Sequence, residues 1–447
     1  MERRVLIYNV KIVSSGQTPF MGRVLIEGNF IKAVEPDVTD TNVEAHLKIN
    51  GNGALLLPGG IDEHVHFREP GMTSKATMAS ESRAAIEGGV TSWIDMPNTI
   101  PPTTSTALID EKISIARQSS PANYGFYIGA TSSNLEELAK SNYSHIAGIK
   151  LFIGATTGSL VLDDDEALDR LFSTAPSIIA VHAEDNAIIE ANKQRLLKEY
   201  GDNDDLPIAM HPEVRSREAC VAATRRAINL ALKHNTRLHL MHISTADELE
   251  LLKSLPADAR ITAETCPQYL LFSSDDYRRL GARIKCNPAI KEESDRLALI
   301  EAVRSGLIDT IATDHAPHLL SDKQGGALKA ASGMPLIQFA MPLMLDIFGP
   351  EIVAEKMAAA PAKILNIKRR GLIAPGYYAD LALFEPVQSA YTITDGDVVS
   401  KCRWTPVNGM KCRHRVMMTM VNGVIVKSLI NGIDKETVKT NLLEYDN

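Results

Sequence analysis

The chain has little cysteine, no excess of positive charge and no long apolar run, and each lack excludes something. Its five cysteines, Cys220, Cys266, Cys286, Cys402 and Cys412, are odd in number, and none forms a C-x-x-C pair. That argues against a disulfide framework and a thiolate zinc site, and suits free thiols in a reducing cytoplasm. A formal net charge of -8 argues against a basic nucleic-acid surface. No apolar stretch approaches the roughly 20 residues of a membrane span. Met1-Glu2-Arg3-Arg4 followed by Val5-Leu6-Ile7-Tyr8 lacks a small-residue cleavage site and reads as a first strand, not a signal peptide. Sequence repeats, low-complexity segments and heptads are also missing. What remains is ordinary globular material, 447 residues with 45% hydrophobic and 23% charged, enough for a large core.

The two ends are rich in strand signals. Arg4 to Val13 and Arg23 to Val34 form β-prone runs, the second turning at Glu27-Gly28-Asn29, and Ala379–Phe384 and Val416–Val426 behave alike. These ends predict one small β domain, a β-sandwich formed from residues 1–54 plus 370–447. Between them, short apolar runs alternate with helical segments such as Thr73–Glu87 and Arg217–Lys233. Eight runs are candidate strands: Leu55–Phe67, Val90–Met96, Tyr124–Ala130, Gly148–Ile153, Ile178–His182, Leu238–Ile243, Arg260–Thr265 and Asp309–Thr313. Eight strand–helix units predict an α/β fold, a (β/α)8 TIM-type barrel over 55–369. A doubly wound open sheet is the alternative, but no G-x-G-x-x-G follows the first strand.

The chemistry gathers at the strand ends. The first strand ends Asp62-Glu63-His64-Val65-His66. Residues two apart on a strand share a face, so His64 and His66 can grip one divalent ion. Alone, an H-x-H is more often two ordinary histidines. Here Lys150 lies in the fourth run, His182 ends the fifth, His242 lies in the sixth and Asp314 directly follows the eighth. In a barrel these ends converge on the face where active sites form, and the conjunction makes a metal centre the better reading.

These motifs together, H-x-H, Gly-Ile-Lys-Leu-Phe, Val-His-Ala-Glu-Asp, His-Ile-Ser-Thr and Ala-Thr-Asp-His-Ala-Pro-His, resemble the cyclic amidohydrolase family over nearly the whole chain. The run His64-Val65-His66-Phe67-Arg68-Glu69-Pro70-Gly71 narrows the resemblance towards the dihydroorotases. It implies two zinc ions per subunit, bridged by an N-carboxylated Lys150 and a hydroxide. His64, His66 and Asp314 would hold the more buried ion, and His182 and His242 the other. Asp314 would also be the catalytic acid and base, opening the cyclic amide of (S)-dihydroorotate to N-carbamoyl-L-aspartate in pyrimidine biosynthesis. A lysine amine, with a reference pKa of about 10.4, cannot ligate while protonated, and CO2 addition removes that obstacle.

Substrate contacts implied by the resemblance are Arg68, Asn98, Asn287 and His318. Dihydroorotate carries a carboxylate, which suits the planar fork of Arg68. Neutral rings have no use for that arginine, so an allantoinase, or a dihydropyrimidinase or hydantoinase, is the runner-up. A non-catalytic scaffold on the same fold is a further alternative, opposed by six filled ligand positions. His315 is expected to be structural; His46, His145, His211, His234, His239 and His414 have no metal-ligand context. The stretch Leu319–Met334, with Gly325-Gly326 and Ser332-Gly333, is expected to be mobile and to close over substrate. Partners are expected to be a small-molecule substrate and a second copy in a homodimer, with no nucleic acid and no membrane, in the cytoplasm.

Overall fold

The computed structural model describes residues 2–154, 160–201 and 204–446. The terminal strands are β1 (Arg4–Ile12), β2 (Phe20–Glu27), β3 (Phe30–Glu35), β4 (Leu47–Asn50) and β5 (Leu55–Pro58). Period-two alternation builds them: in β2, Val24 and Ile26 are buried while Arg23, Leu25 and Glu27 are half-buried. The barrel follows with β6 (Gly60–Val65), β7 (Val90–Asp95), β8 (Asn123–Phe126), β9 (Ile128–Gly129), β10 (Ile149–Ile153), β11 (Ile179–Ala183), β12 (Leu238–Leu240), β13 (Ile261–Thr265) and β14 (Thr310–Ile311). Most of these strands are buried at every residue, as parallel strands walled by helices must be. The chain then returns to the first sheet with β15 (Leu381–Thr392), β16 (Lys411–Val421) and β17 (Val424–Ser428).

Both termini meet in one sheet, ordered β17-β16-β15-β5-β1-β2-β3 with β4 beside β1. Its core mixes the two ends: Val5, Ile7, Val24 and Ile26 pack in one cluster with Leu381, Leu383, Met418 and Met420. The barrel is two parallel runs, β6-β7-β8 and β9 to β14. Strand three joins them, because it breaks at Tyr127: β8 pairs with β7 and β9 with β10. A parallel bridge from Val65 to His315 closes the circle between the first and eighth strands. The sequence expectation of an α/β barrel with a β-rich sheet from both ends holds.

The run Leu55–Phe67 is two strands, not one. Leu55–Pro58 pairs with β1 and β15 in the terminal sheet, and the barrel starts at Gly60. Gly59 and Gly60 permit the transfer: a Cβ on Gly59 would sit 2.2 Å from the side chain of Thr91, and one on Gly60 2.7 Å from Met341 Sδ. At the other end the tail leaves the terminal sheet. Leu443 N donates to Tyr124 O at 2.8 Å, and Leu443 and Tyr445 pack with Ile61, Ile94, Ala147 and Ile178 across the barrel floor. Two of the helices that follow motif-bearing strands begin on motif residues. Asp185 caps Asn186–Glu199, and Thr245 forms a capping box with Glu248 at the head of Ala246–Lys253. Part of these two motifs therefore terminates a strand loop and starts a helix. Among the described residues no helix is long and apolar enough to cross a membrane.

Candidate active site

A pocket of about 420 Å³ opens at the carboxyl ends of the barrel strands, lined by His64, His66, Arg68, Asn98, Lys150, Phe152, His182, His242, Asn287, Asp314, Ala316, Ser332 and Gly333. Nine of the ten side chains singled out in the sequence line it. The tenth, His318, stands behind Arg68: its Nε2 lies 3.0 Å from Arg68 Nη2 and its Nδ1 3.0 Å from Lys75 Nζ. Its reach is to the arginine and not to the cavity, because Arg68 Nε also donates to the adjoining Pro317 carbonyl at 3.1 Å.

The donor atoms stand at ligand spacing. Asp314 Oδ1 is 3.3 Å from His64 Nε2 and 3.0 Å from His66 Nε2. Two ligands at roughly 2.0–2.2 Å from one ion, at angles between square and tetrahedral, are separated by about 3.0–3.4 Å. His182 Nδ1 and His242 Nε2 face each other at 2.8 Å, a second convergent pair. Burial, the largest influence, lowers the pKa of His66, His182 and His242, so neutral imidazoles with free lone pairs are available. Burial works against the Asp314 carboxylate, yet His64 and His66 hold it below the ordinary range. This donor set, four imidazoles and a carboxylate with aligned lone pairs, fits divalent cations of the zinc type.

Lys150 is completely buried on β10, with Nζ 2.7 Å from Met241 Sδ and 4.9 Å from the centre of the Phe152 ring. Neither contact replaces the water an ammonium loses here, and burial pushes its pKa down to about 7. At neutral pH a large share is therefore free amine. Arg68 is only 3% exposed. Burial pushes its pKa down to about 10, which leaves it cationic at neutral pH.

The backbone is bent to present these groups. Arg68, His242 and Asp314 have φ of 65°, 44° and 46°, in the left-handed region. Side chains that the sequence reading passed over hold them there. Asp62 accepts from Thr313 N at 3.0 Å and Thr313 Oγ1 at 2.5 Å, tying strand one to the residue before Asp314. Asp95 accepts from Phe67 N at 2.7 Å and is paired with buried Lys112, which fixes the turn after His66. Asn98, expected as a substrate contact, also accepts from His66 Nδ1 at 2.8 Å, so it orients that imidazole as well as lining the pocket. Glu264 on β13 accepts from His64 Nδ1 at 2.8 Å. The sequence signal for Asp62 was its place in the Asp62-Glu63-His64-Val65-His66 run; Glu264 and Lys112 carried none. His315 is structural, its Nε2 donating to Glu81 at 2.8 Å and its Nδ1 accepting from Leu336 N at 3.0 Å.

The stretch after strand eight, expected to be mobile, is hydrogen-bonded through Lys323. Lys323 Nζ donates to the carbonyls of Lys285, Ala331 and Gly333 at 3.0, 2.6 and 2.8 Å, and Gly333 N donates to Lys285 O at 2.8 Å. A buried lysine used as a three-way backbone clamp gives no pattern in the sequence.

Comparison with known proteins agrees with this geometry. Residues 55–426 match the model of the amidohydrolase family. The chain is 34% identical over 398 residues to a dihydroorotase of Halobacterium salinarum, covering 87% of this chain and 90% of that protein. It is 33% identical over 405 residues to a dihydroorotase of Methanosarcina acetivorans, covering 87% and 84%. Among solved structures, the L-hydantoinase (dihydropyrimidinase) from Arthrobacter aurescens superposes with a TM-score of 0.92 at 27% identity, covering 99% of this chain and 100% of that one. The motifs, the barrel and the convergent donors have one source: the chain is an enzyme of the amidohydrolase family.

Proposed function

We propose that the protein is a dihydroorotase, opening (S)-dihydroorotate to N-carbamoyl-L-aspartate and closing it again in the supply of pyrimidine rings. The single observation that carries this reading is a buried guanidinium, Arg68, on the wall of the same pocket as the converging donors. A pocket for a neutral ring gains nothing from a desolvated cation, whereas a substrate carboxylate pairs with it bidentately.

His64, His66 and Asp314 would hold one zinc ion, His182 and His242 a second, and Lys150 would bridge them. When bound, the ions supply Lewis-acid activation of the attacking water and of the ring amide carbonyl. The Lys150 amine, whose pKa burial lowers, would attack CO2 in its unprotonated form, lose a proton and become a carbamate, an anion with two donor oxygens. Asp314 takes a proton from the attacking water and returns it to the departing ring nitrogen. Arg68 grips the substrate carboxylate, His318 and Pro317 hold Arg68 in place, and Asn98 and Asn287 face the ring. Hydrolysis releases a proton from the new carboxyl group, so acidification favours ring closure.

The TM-score of 0.92 to an L-hydantoinase supports a second reading, a hydantoinase or dihydropyrimidinase. Purified protein of known metal content, given dihydroorotate, a 5-substituted hydantoin, dihydrouracil and allantoin side by side, separates the two. Dihydroorotate should have the highest kcat/KM. Arg68→Met should lower that value about 10- to 150-fold, the loss of a charged hydrogen-bond pair, while metal content stays near two per chain. Preference of the wild type for a neutral ring would overturn the dihydroorotase reading.

A further inference from the structure

One oxygen atom beneath the pocket is shared by both halves of the donor set. Glu264 stands on β13, and its side chain crosses the barrel interior, shielded from solvent. Its Oε1 accepts from His64 Nδ1 at 2.8 Å and from the backbone N–H of His242 at 3.0 Å. Its Oε2 has no hydrogen-bond partner and faces His239 Nε2 at 3.8 Å. The two residues held by Oε1 come from different strands and, in the reading proposed above, serve different ions.

We infer that Glu264 is the positioning residue for both ions, one carboxylate oxygen setting the ring of His64 and the backbone of His242 together. At His64, donation from Nδ1 to a carboxylate selects the tautomer whose Nε2 carries the lone pair, and that Nε2 is the atom 3.3 Å from Asp314 Oδ1. At His242, the backbone turns left-handed, with φ of 44°, to aim its ring at His182. A residue with a Cβ enters that region reluctantly, and its N–H needs an acceptor in a dry interior. Glu264 Oε1 is that acceptor. The inference rests on the metal-centre reading, and the experiment separates the two.

Glu264→Gln is compared with Glu63→Gln. Glu63 is a carboxylate of the same buried layer, and neither of its oxygens has a hydrogen-bond partner. Zinc affinity of each apo protein is measured by competition with a chromophoric chelator, alongside thermal stability, and the visible spectrum is recorded after loading with Co2+. A neutral amide is the poorer acceptor for the imidazole, so Glu264→Gln should weaken zinc binding about 10- to 100-fold and shift the cobalt bands. Glu63→Gln should leave both readouts alone, whatever it does to stability. Wild-type affinity and an unshifted cobalt spectrum in Glu264→Gln, or equal weakening in Glu63→Gln, would overturn the inference. Wild-type protein that binds no divalent ion would instead sink the metal-centre reading beneath it. Should Glu264→Gln fail to fold, zinc-loaded wild type labelled with 15N-histidine gives the answer. A His64 protonated at Nδ1 alone supports the inference, and one protonated at Nε2 overturns it.

Discussion

Five described residues other than glycine and asparagine have positive φ, and three of them, Arg68, His242 and Asp314, line the pocket. Such a conformation costs of order 1–3 kcal/mol where surroundings over-determine it, and here the surroundings do so with Asp62, Glu264 and the Pro317 carbonyl. At Asp314 the bend aims one carboxylate at two imidazoles, and the proposed proton transfer depends on its charge. Asp314→Asn keeps the shape and loses the acid–base function. Turnover of dihydroorotate should fall about 10²- to 10⁴-fold in both directions; near-wild-type kcat in either direction would remove Asp314 from its role.

His211 makes a separate argument at the same scale. It is 2% exposed, its Nε2 donates to the carbonyl of Cys286 at 2.8 Å, and the next residue is the pocket-lining Asn287. Burial, then Lys285 and Arg215, hold its pKa well below the ordinary value. The folded protein keeps His211 neutral while the unfolded chain takes up a proton near pH 6.5. Its contribution to stability is therefore present above that pH and is lost as pH falls through it. His211→Gln retains a donor and cannot titrate, so its loss of Tm between pH 7.5 and 5.5 should be smaller than that of the wild type. Parallel curves would show that His211 does not contribute.

Among elements, the strands and their cargo were the most legible part of the sequence, because a barrel places every strand end on one face. His64, His66, Lys150, His182, His242 and Asp314 could be set together from chain order alone. Partners that act through a single long-range bond were not legible. Glu264 belongs to Glu-Thr-Cys-Pro, which by itself suggests nothing, and its meaning comes from His64, 200 positions away. His318 was legible as part of a motif but not in direction, since only the fold shows that Arg68 stands between it and the cavity. The loop after strand eight was legible only in part for a similar reason: its glycines and serines suggest freedom, while the bonds across it come from Lys323. Burial pushes the Lys323 pKa down to about 7, and its Nζ spends its donors on three carbonyls. Lys323→Met keeps the length and removes the donors. Amide exchange across 330–334 should quicken, and KM should rise about tenfold for each 1.4 kcal/mol of lost loop order, with metal content unchanged. Unaltered exchange would mean that Lys323 does not clamp the loop.

For the whole molecule, the divided β sheet and the returning tail turn both ends of the chain into supports for the barrel. The first sheet joins β1 to β5 and β15 side by side, and Gly59-Gly60 passes the chain directly from that sheet into the strand carrying His64. The tail closes the opposite, amino-terminal face: Leu443 is completely buried, Tyr445 is 2% exposed, and a Cβ on Gly125 would lie 2.2 Å from the Tyr445 hydroxyl. Neither Leu443 nor Tyr445 lines the pocket, so the floor can be damaged without removing a donor. Leu443→Ala leaves a cavity beside Ile94 and Ile178 and should destabilise the protein by about 2–5 kcal/mol. Since the tail binds neither substrate nor the proposed ions, kcat, KM and metal content at 25 °C should stay within about twofold of wild type while Tm falls. A variant of unchanged Tm would show that the tail is not part of the barrel's core, and a folded variant that had lost its metal would show that floor and pocket are coupled through the strands.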